Sequence, residues 1–280
     1  MRQIDALNAQ TGPVFLTYRH DATINAIAAE VTSGAAAVDI EADDGIRHTL
    51  WVVDKAGHID SITKTFDAMD CLYIADGHHR SAAASRVCAQ RQAANPAHSG
   101  EESYNYFLSV IFPDDQMQIL DYNRVVTDLN GMSGEDFLAA VAEKFSLEAQ
   151  DDAVKPGNNG EFGMYLNGQW YRLNINPDLI PADDPVAQLD VSLLQNNLIS
   201  PLLGIDDPRR DKRIDFVGGI RGLGELEKRV NSGEMQVAFS LYPTTLAQLM
   251  AVADAGEVMP PKSTWFEPKL ADGLVSHLLD

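Results

Sequence analysis

The stretch that decides the reading of the chain is CLYIADGHHRSAAASRVCAQ, residues 71–90. Its apolar beginning has the length of a buried strand and breaks at Asp76 and Gly77. A run of small helix formers follows two histidines and an arginine. Gly77 admits the left-handed backbone that other residues resist, and a helix beginning near Arg80 presents backbone N–H groups without intrahelical partners. Together these features describe an anion site. The N-terminus of a helix carries a positive partial charge, and Arg80 adds a fork of donors matched to phosphate or carboxylate oxygens. His78 and His79 titrate near neutrality, while Asp76 can take a proton, hold a histidine or bind Mg²⁺. The bland alternative is a helix cap beside a surface ion pair, since an Asp and a Gly in one turn are common. Two histidines and an arginine in the same turn shift the balance toward function. Adjacent residues point to different faces, so the His pair is a poor zinc signature.

Outward from this turn, strands and helices alternate. GPVFLTY (12–18) reads as a strand, and DATINAIAAEVTSG (21–34) as a helix opened by Asp21 and closed by Gly34. GIRHTLWVVD (45–54) reads as an alternating strand and GHIDSITKTFDAM (57–69) as a helix. The first hundred residues therefore predict a mixed sheet with helical cover. RQAANPAHSGEESY (91–104) loses apolar periodicity and marks a boundary, giving one lobe over 1–95 and a second over 104–280. In the second lobe, YNYFLSVIFP and MQILDYNRVVTDL read as strands, and Ser133 caps a helix with Asp136 three residues on. Asn167-Gly168 separates two alternating runs, a strong hairpin signal. Pro201 should end or kink the helix VAQLDVSLLQNNLISPLLG. The fold class expected is α+β.

Of 280 residues, 21 are Lys or Arg and 41 Asp or Glu, a formal charge of −20. Such a surface repels a nucleic-acid backbone, so general DNA or RNA binding is disfavoured, while a small anion held by local donors is not. No apolar stretch is long enough to span a membrane, and the N-terminus lacks the layout of a signal peptide, so a cytoplasmic location is expected. The two cysteines, Cys71 and Cys88, have no metal-ligand spacing and read as buried reduced thiols.

A second polar concentration lies in DAGEVMPPKSTWFEPKL (254–270). Its prolines keep it out of helix, and Lys262, Ser263, Thr264, Glu267 and Lys269 crowd a loop around Trp265 and Phe266. Such a loop either presents ammonium and hydroxyl groups to a phosphate or is an arm whose aromatics pack and whose charges are solvated. DYNRVV, with Asp121 and Arg124, and DFVGG read as strand ends, turns and surface ion pairs. GGIRGLGEL lacks the register of a dinucleotide-binding loop.

The segments LYIADGHHR, ILDYNRVV, RIDFVGG, AFSLYPT and MPPKSTWFEPKL resemble, over nearly the whole chain, the domain-of-unknown-function family 1015. Some relatives carry a ParB-like label, because strand, glycine turn with arginine, and helix are similar to the phosphate motif of the ParB and sulfiredoxin superfamily. Free serine kinases carry a similar turn. That resemblance implies a phosphotransferase moving phosphate between a nucleotide or pyrophosphate and serine or phosphoserine. It implies Asp76, His78 and His79 as catalytic residues, with Mg²⁺ on Asp76. It places Gly77 and Arg80 on the donor phosphates; beside them Ser81, and Lys262, Ser263, Thr264 and Lys269 of the C-terminal loop on the far side, complete the expected phosphate-binding set, with Arg124 and Glu267 as additional candidates. The activating glutamate of those kinases has no counterpart that can be placed here, and relatives have a longer N-terminal region, which implies a missing first portion. Two other readings stay open: a nucleotide-binding switch of the CTP type, and an interaction protein without catalysis. The expected partner is a small phosphorylated ligand, and homodimer formation stays open.

Overall fold

The apolar run after Pro13 forms the strand Val14–Tyr18, buried along its whole length. It is the middle strand of a three-stranded sheet, antiparallel to Tyr73–Asp76 and parallel to Ser109–Pro113. A parallel pair cannot be joined by a tight turn. The long connection holds the helices Ala22–Thr32, Ala56–Asp67 and His78–Ala94. Asp21 caps the first of these through Thr23 N and Ile24 N, as its position in the sequence predicts. The computed structural model describes residues 2–267, 270 and 272–279, the side chain of Glu267 excepted.

The alternating stretch 45–54 is a strand only over Arg47–Leu50, paired with Val38–Glu41 in a separate two-stranded hairpin. Every residue of Val38–Glu41 is exposed, so its four-residue alternation of Val, Asp, Ile and Glu marks no buried face. Near the C-terminus, His277–Leu278 pairs with Ala9–Gln10. By internal contacts the chain divides into Met1–Met117 with Lys269–Asp280, and Gln118–Pro268.

The second unit is built on a six-stranded antiparallel sheet. Its strand order is Ile214–Gly218, Tyr122–Val126, Val237–Leu241, Glu161–Leu166, Gln169–Ile175 and Phe145–Gln150. The predicted hairpin turns through Asn167 and Gly168, with φ of 52° and 82°. Both central residues of this turn need positive φ, which Asn and Gly tolerate best. Strand alternation gives the sheet two apolar faces. One buries Val126, Met164, Val237 and Phe239 with Phe137, Leu194, Leu198 and Val252 from helices, while the other buries Val125, Tyr165 and Ala238 with Leu226. Phe137, Phe162 and Phe239 are fully buried, each contributing on the order of 1.5–3 kcal/mol by removal from water. The fold class is mixed α+β.

Three expectations need correction. Pro201, expected to end or kink its helix, does not end it. The segment Asp190–Leu194 passes through a π-helical stretch, Gln195–Ile199, directly before the proline and continues through Ser200–Leu203 to Gly204. The arm after Pro261 is not all loop, because Trp265–Glu267 forms a short strand antiparallel to Gln118–Leu120. Finally, the thiols are free but Cys71 is exposed and Cys88 half-buried.

Candidate functional site

The turn at residues 76–80 has the local geometry its composition demands. Tyr73–Asp76 ends in Gly77, whose φ of 90° places it in the left-handed region, and the helix His78–Ala94 starts at once. Its first turn carries no acidic residue and no side-chain cap, so Asp76 is not the helix cap. The uncapped N–H groups and the dipole of a 17-residue helix therefore stand at the strand end.

Arg80 folds back over the glycine. A Cβ on Gly77 would come 3.0 Å from Arg80 Nε, and one on Gly12 would come 3.4 Å from Arg80 Nη1. The guanidinium is thus packed between two glycines that leave it room. It is flanked loosely by two carboxylates, with Nη2 at 3.6 Å from Asp76 and Nη1 at 3.9 Å from Asp272. Both separations exceed a good charge-assisted hydrogen bond, so its donors are not committed to either acid. A cleft of about 250 Å³ opens here, lined among others by Gln10, Thr11, Gly12, His79, Arg80 and Asp272. Its size suits a phosphate group or a small phosphorylated moiety.

His78 and His79 are exposed, their ring centroids 4.0 Å apart and tilted by 47°. Only His79 of the pair lines the cleft. Ser81 donates its hydroxyl to the His78 carbonyl at 3.0 Å, a bond that fastens the first helical turn. Asp76 is exposed and touches Arg80 alone among the ion pairs of the described residues. A single carboxylate with open coordination fits Mg²⁺ only in its usual mode, with most ligands supplied by water and phosphate.

Lys262, Ser263, Thr264 and Arg124 belong to the other unit, Gln118–Pro268. Lys262 is exposed, adopts φ of 58°, and holds its Nζ 5.7 Å over the Tyr122 ring. Ser263 is buried, and its hydroxyl donates to the Pro260 carbonyl at 2.7 Å while its own carbonyl accepts from Thr244 Oγ1 at 2.9 Å. That hydroxyl is spent on shaping the turn. Thr264 is half-buried, and Trp265 packs edge-on against Tyr122. Lys269 lies outside the described residues, as does the side chain of Glu267.

Arg124 corrects the sequence reading most sharply. It is not a surface ion-pair residue at a strand end: it lies within a central strand, is 5% exposed and has no carboxylate partner among the described residues. Its guanidinium donates to the carbonyls of Tyr122 and Lys262 and stacks at 5.5 Å over Phe216. Burial lowers its pKa to about 10, partly opposed by Tyr122. The interruption of an apolar strand by one Arg before Val125 and Val126 was the available signal.

Two further groups escaped sequence reasoning. His20 Nδ1 donates to Asp114 Oδ1 at 2.9 Å, with Asp115 beside it, the one three-residue metal-type cluster among the described residues. The hydrogen bond to Asp114 raises the His20 pKa, with Asp115 adding to it. Their separation of 94 positions hides the pairing from sequence. Asp190 is 6% exposed, and burial raises its carboxyl to about 7 against a hydrogen bond from Gly160 N.

Fold and turn together define a two-unit α+β protein with an arginine-lined cleft at a strand–glycine–helix junction. Residues 1–192 match the family described as protein of unknown function (DUF1015), and the chain belongs to that family. Among solved structures, a free serine kinase mutant in complex with AMP is similar, with a TM-score of 0.42 and 14% identity, covering 95% of this chain and 76% of that one. A free serine kinase mutant in complex with ADP gives a TM-score of 0.40 and 15% identity, covering 95% and 77%. A conserved hypothetical protein from Pyrococcus furiosus gives 0.43 and 14%, covering 97% and 82%. No curated protein matches.

Proposed function

We propose that the turn Asp76–Arg80 binds a terminal phosphate of a nucleotide or pyrophosphate and that the protein transfers phosphate between that donor and serine. The observation that carries this reading is the placement of Arg80, half-buried over Gly77, loosely held by Asp76 and Asp272, at the uncapped start of a long helix. Fixed donors aimed at one small cleft are what stabilisation of charge on a transferring phosphoryl group requires. His79, on the same cleft, is the group positioned to donate to a phosphate oxygen or move a proton. Asp76 would hold Mg²⁺ through water and phosphate. The strand–turn–helix likeness to the ParB and sulfiredoxin phosphate motif supports the same assignment. The partner is then a small phosphorylated molecule, and a cytoplasmic location accords with it. No described helix is long and apolar enough to cross a membrane.

The test is phosphorus NMR of the protein with L-serine, Mg²⁺ and ATP, ADP or pyrophosphate in turn. Appearance of phosphoserine, lost in Arg80→Ala, is expected. Absence of phosphoserine with all three donors overturns the transfer step.

A second reading, binding without transfer, is favoured by the exposure of Asp76, His78 and His79. It predicts that nucleotides raise Tm while serine and phosphoserine leave it unchanged.

A further inference from the structure

We infer that the second unit carries its own binding site, a cleft of about 650 Å³ that takes a small zwitterion, with a carboxylate on Arg124 and Ser192 and a cationic group at an acidic rim. All the groups involved lie in Gln118–Pro268, so the site needs nothing from the Asp76–Arg80 turn.

Two polar side chains more than nine-tenths buried line this cleft. Arg124 gives two of its N–H donors to the carbonyls of Tyr122 and Lys262, which leaves others of its fork uncommitted. Ser192 is 8% exposed, and its hydroxyl has no hydrogen-bond partner among the described residues. Taking a guanidinium out of water without an anion beside it is costly, as its lowered pKa reflects. A bound carboxylate removes that penalty, because guanidinium and carboxylate match in shape and charge. The Ser192 hydroxyl supplies a further donor.

The rim selects the other end of the ligand. Asp184 and Asp206 line the cleft, are exposed, and have no basic partner among the described residues. Arg209, the basic residue of the rim, is clasped by Asp207 at 2.9 and 3.0 Å and so does not neutralise them. A buried cation below unpaired anions is complementary to a molecule with negative and positive ends, and it opposes a multiply charged phosphate. The helix interruption at Gln195–Ile199 lies on the same wall, where Gln195 and Asn196 face the cleft. Such π-helical insertions recur at functional sites.

The test is isothermal titration of the intact protein with each of the twenty common α-amino acids, with acetate and inorganic phosphate as single-ended probes. At least one amino acid is expected to bind saturably, more tightly than acetate, more tightly than its own α-amide and, in Arg80→Ala, more tightly than phosphate. That affinity should persist in Arg80→Ala and fall about tenfold in Ser192→Ala, the equivalent of one hydrogen bond to a charged group. Asp206→Asn, a rim change far from the core, should weaken the amino acid and strengthen acetate. Binding of no amino acid, phosphate binding to Arg80→Ala as tight as that of the best amino acid, or an unchanged affinity in Ser192→Ala each overturns the inference. Loss of phosphoserine formation with amino-acid binding intact would refute the phosphotransfer reading alone.

Discussion

Replacing Asp190 by asparagine turns a buried carboxyl into a titration experiment. One oxygen of Asp190 accepts from Gly160 N at 2.8 Å, and the other, buried, has no partner among the described residues. Burial outweighs the hydrogen bond and raises the folded-state pKa from 3.8 to about 7. The native state therefore binds more protons than the unfolded chain between those values. Stability is full below the unfolded pKa and is lost as pH rises through the folded one. A shift of roughly three units at about 1.36 kcal/mol each corresponds to about 4 kcal/mol. The substituted amide cannot ionise, so the stability of Asp190→Asn relative to wild type should climb by about 1.4 kcal/mol per pH unit from about pH 4 to 7, then level off. Other titrating groups are common to both proteins and cancel in the difference. Urea unfolding followed by the fluorescence of Trp170 and Trp265, both in the same unit, measures it. A difference that stays flat within about 0.5 kcal/mol between pH 5 and 8, the range of an inconsequential substitution, refutes the reasoning.

Three further outcomes follow from single contacts. The His20 imidazole should titrate above 6.5 by NMR and return toward that value in Asp114→Asn; its stabilising pair is complete below pH 6.5 and is lost as pH rises through the folded pKa. Gly77→Ala forces an L side chain to φ of 90° and a Cβ to 3.0 Å from Arg80 Nε, so thermal unfolding should report a loss of about 1–2 kcal/mol. Gly218→Ala places a Cβ 2.7 Å from the Trp265 ring, so the Trp265 emission should shift and the second unit should lose stability.

How much of this was legible in the sequence depends on the range of the determining interaction. The turn at 76–80 was readable because Gly77 carries its own conformational preference and the flanking runs are long; only the helix start moved, from near Arg80 to His78. Ser133 and Asn167-Gly168 likewise act within a few residues, and both adopt their local roles. Arg124 was misread because DYNRVV alone does not reveal strands on both sides of it. Its burial is set by Ile214–Gly218 and Val237–Leu241, about a hundred positions away. Ser192 and Asp190 sit in an apolar run, where polarity could mark a helix start or a pocket, and only tertiary packing separates the two. The pairing of His277–Leu278 with Ala9–Gln10 joins opposite ends of the chain and leaves no local trace. Pro201 follows its local rule only in part: the helix does not end at the proline, but its regular α-turns give way to a π-helical stretch just before it.

The central claim is that the Asp76–Arg80 turn holds phosphate, and calorimetric titration of ADP into wild-type protein and Arg80→Ala tests it most directly. The account predicts saturable binding to the wild type and at least a tenfold weakening in the variant, the equivalent of about 1.5–3 kcal/mol for donors to a charged group. Absence of binding to the wild type, or equal affinity in the two proteins, would contradict it.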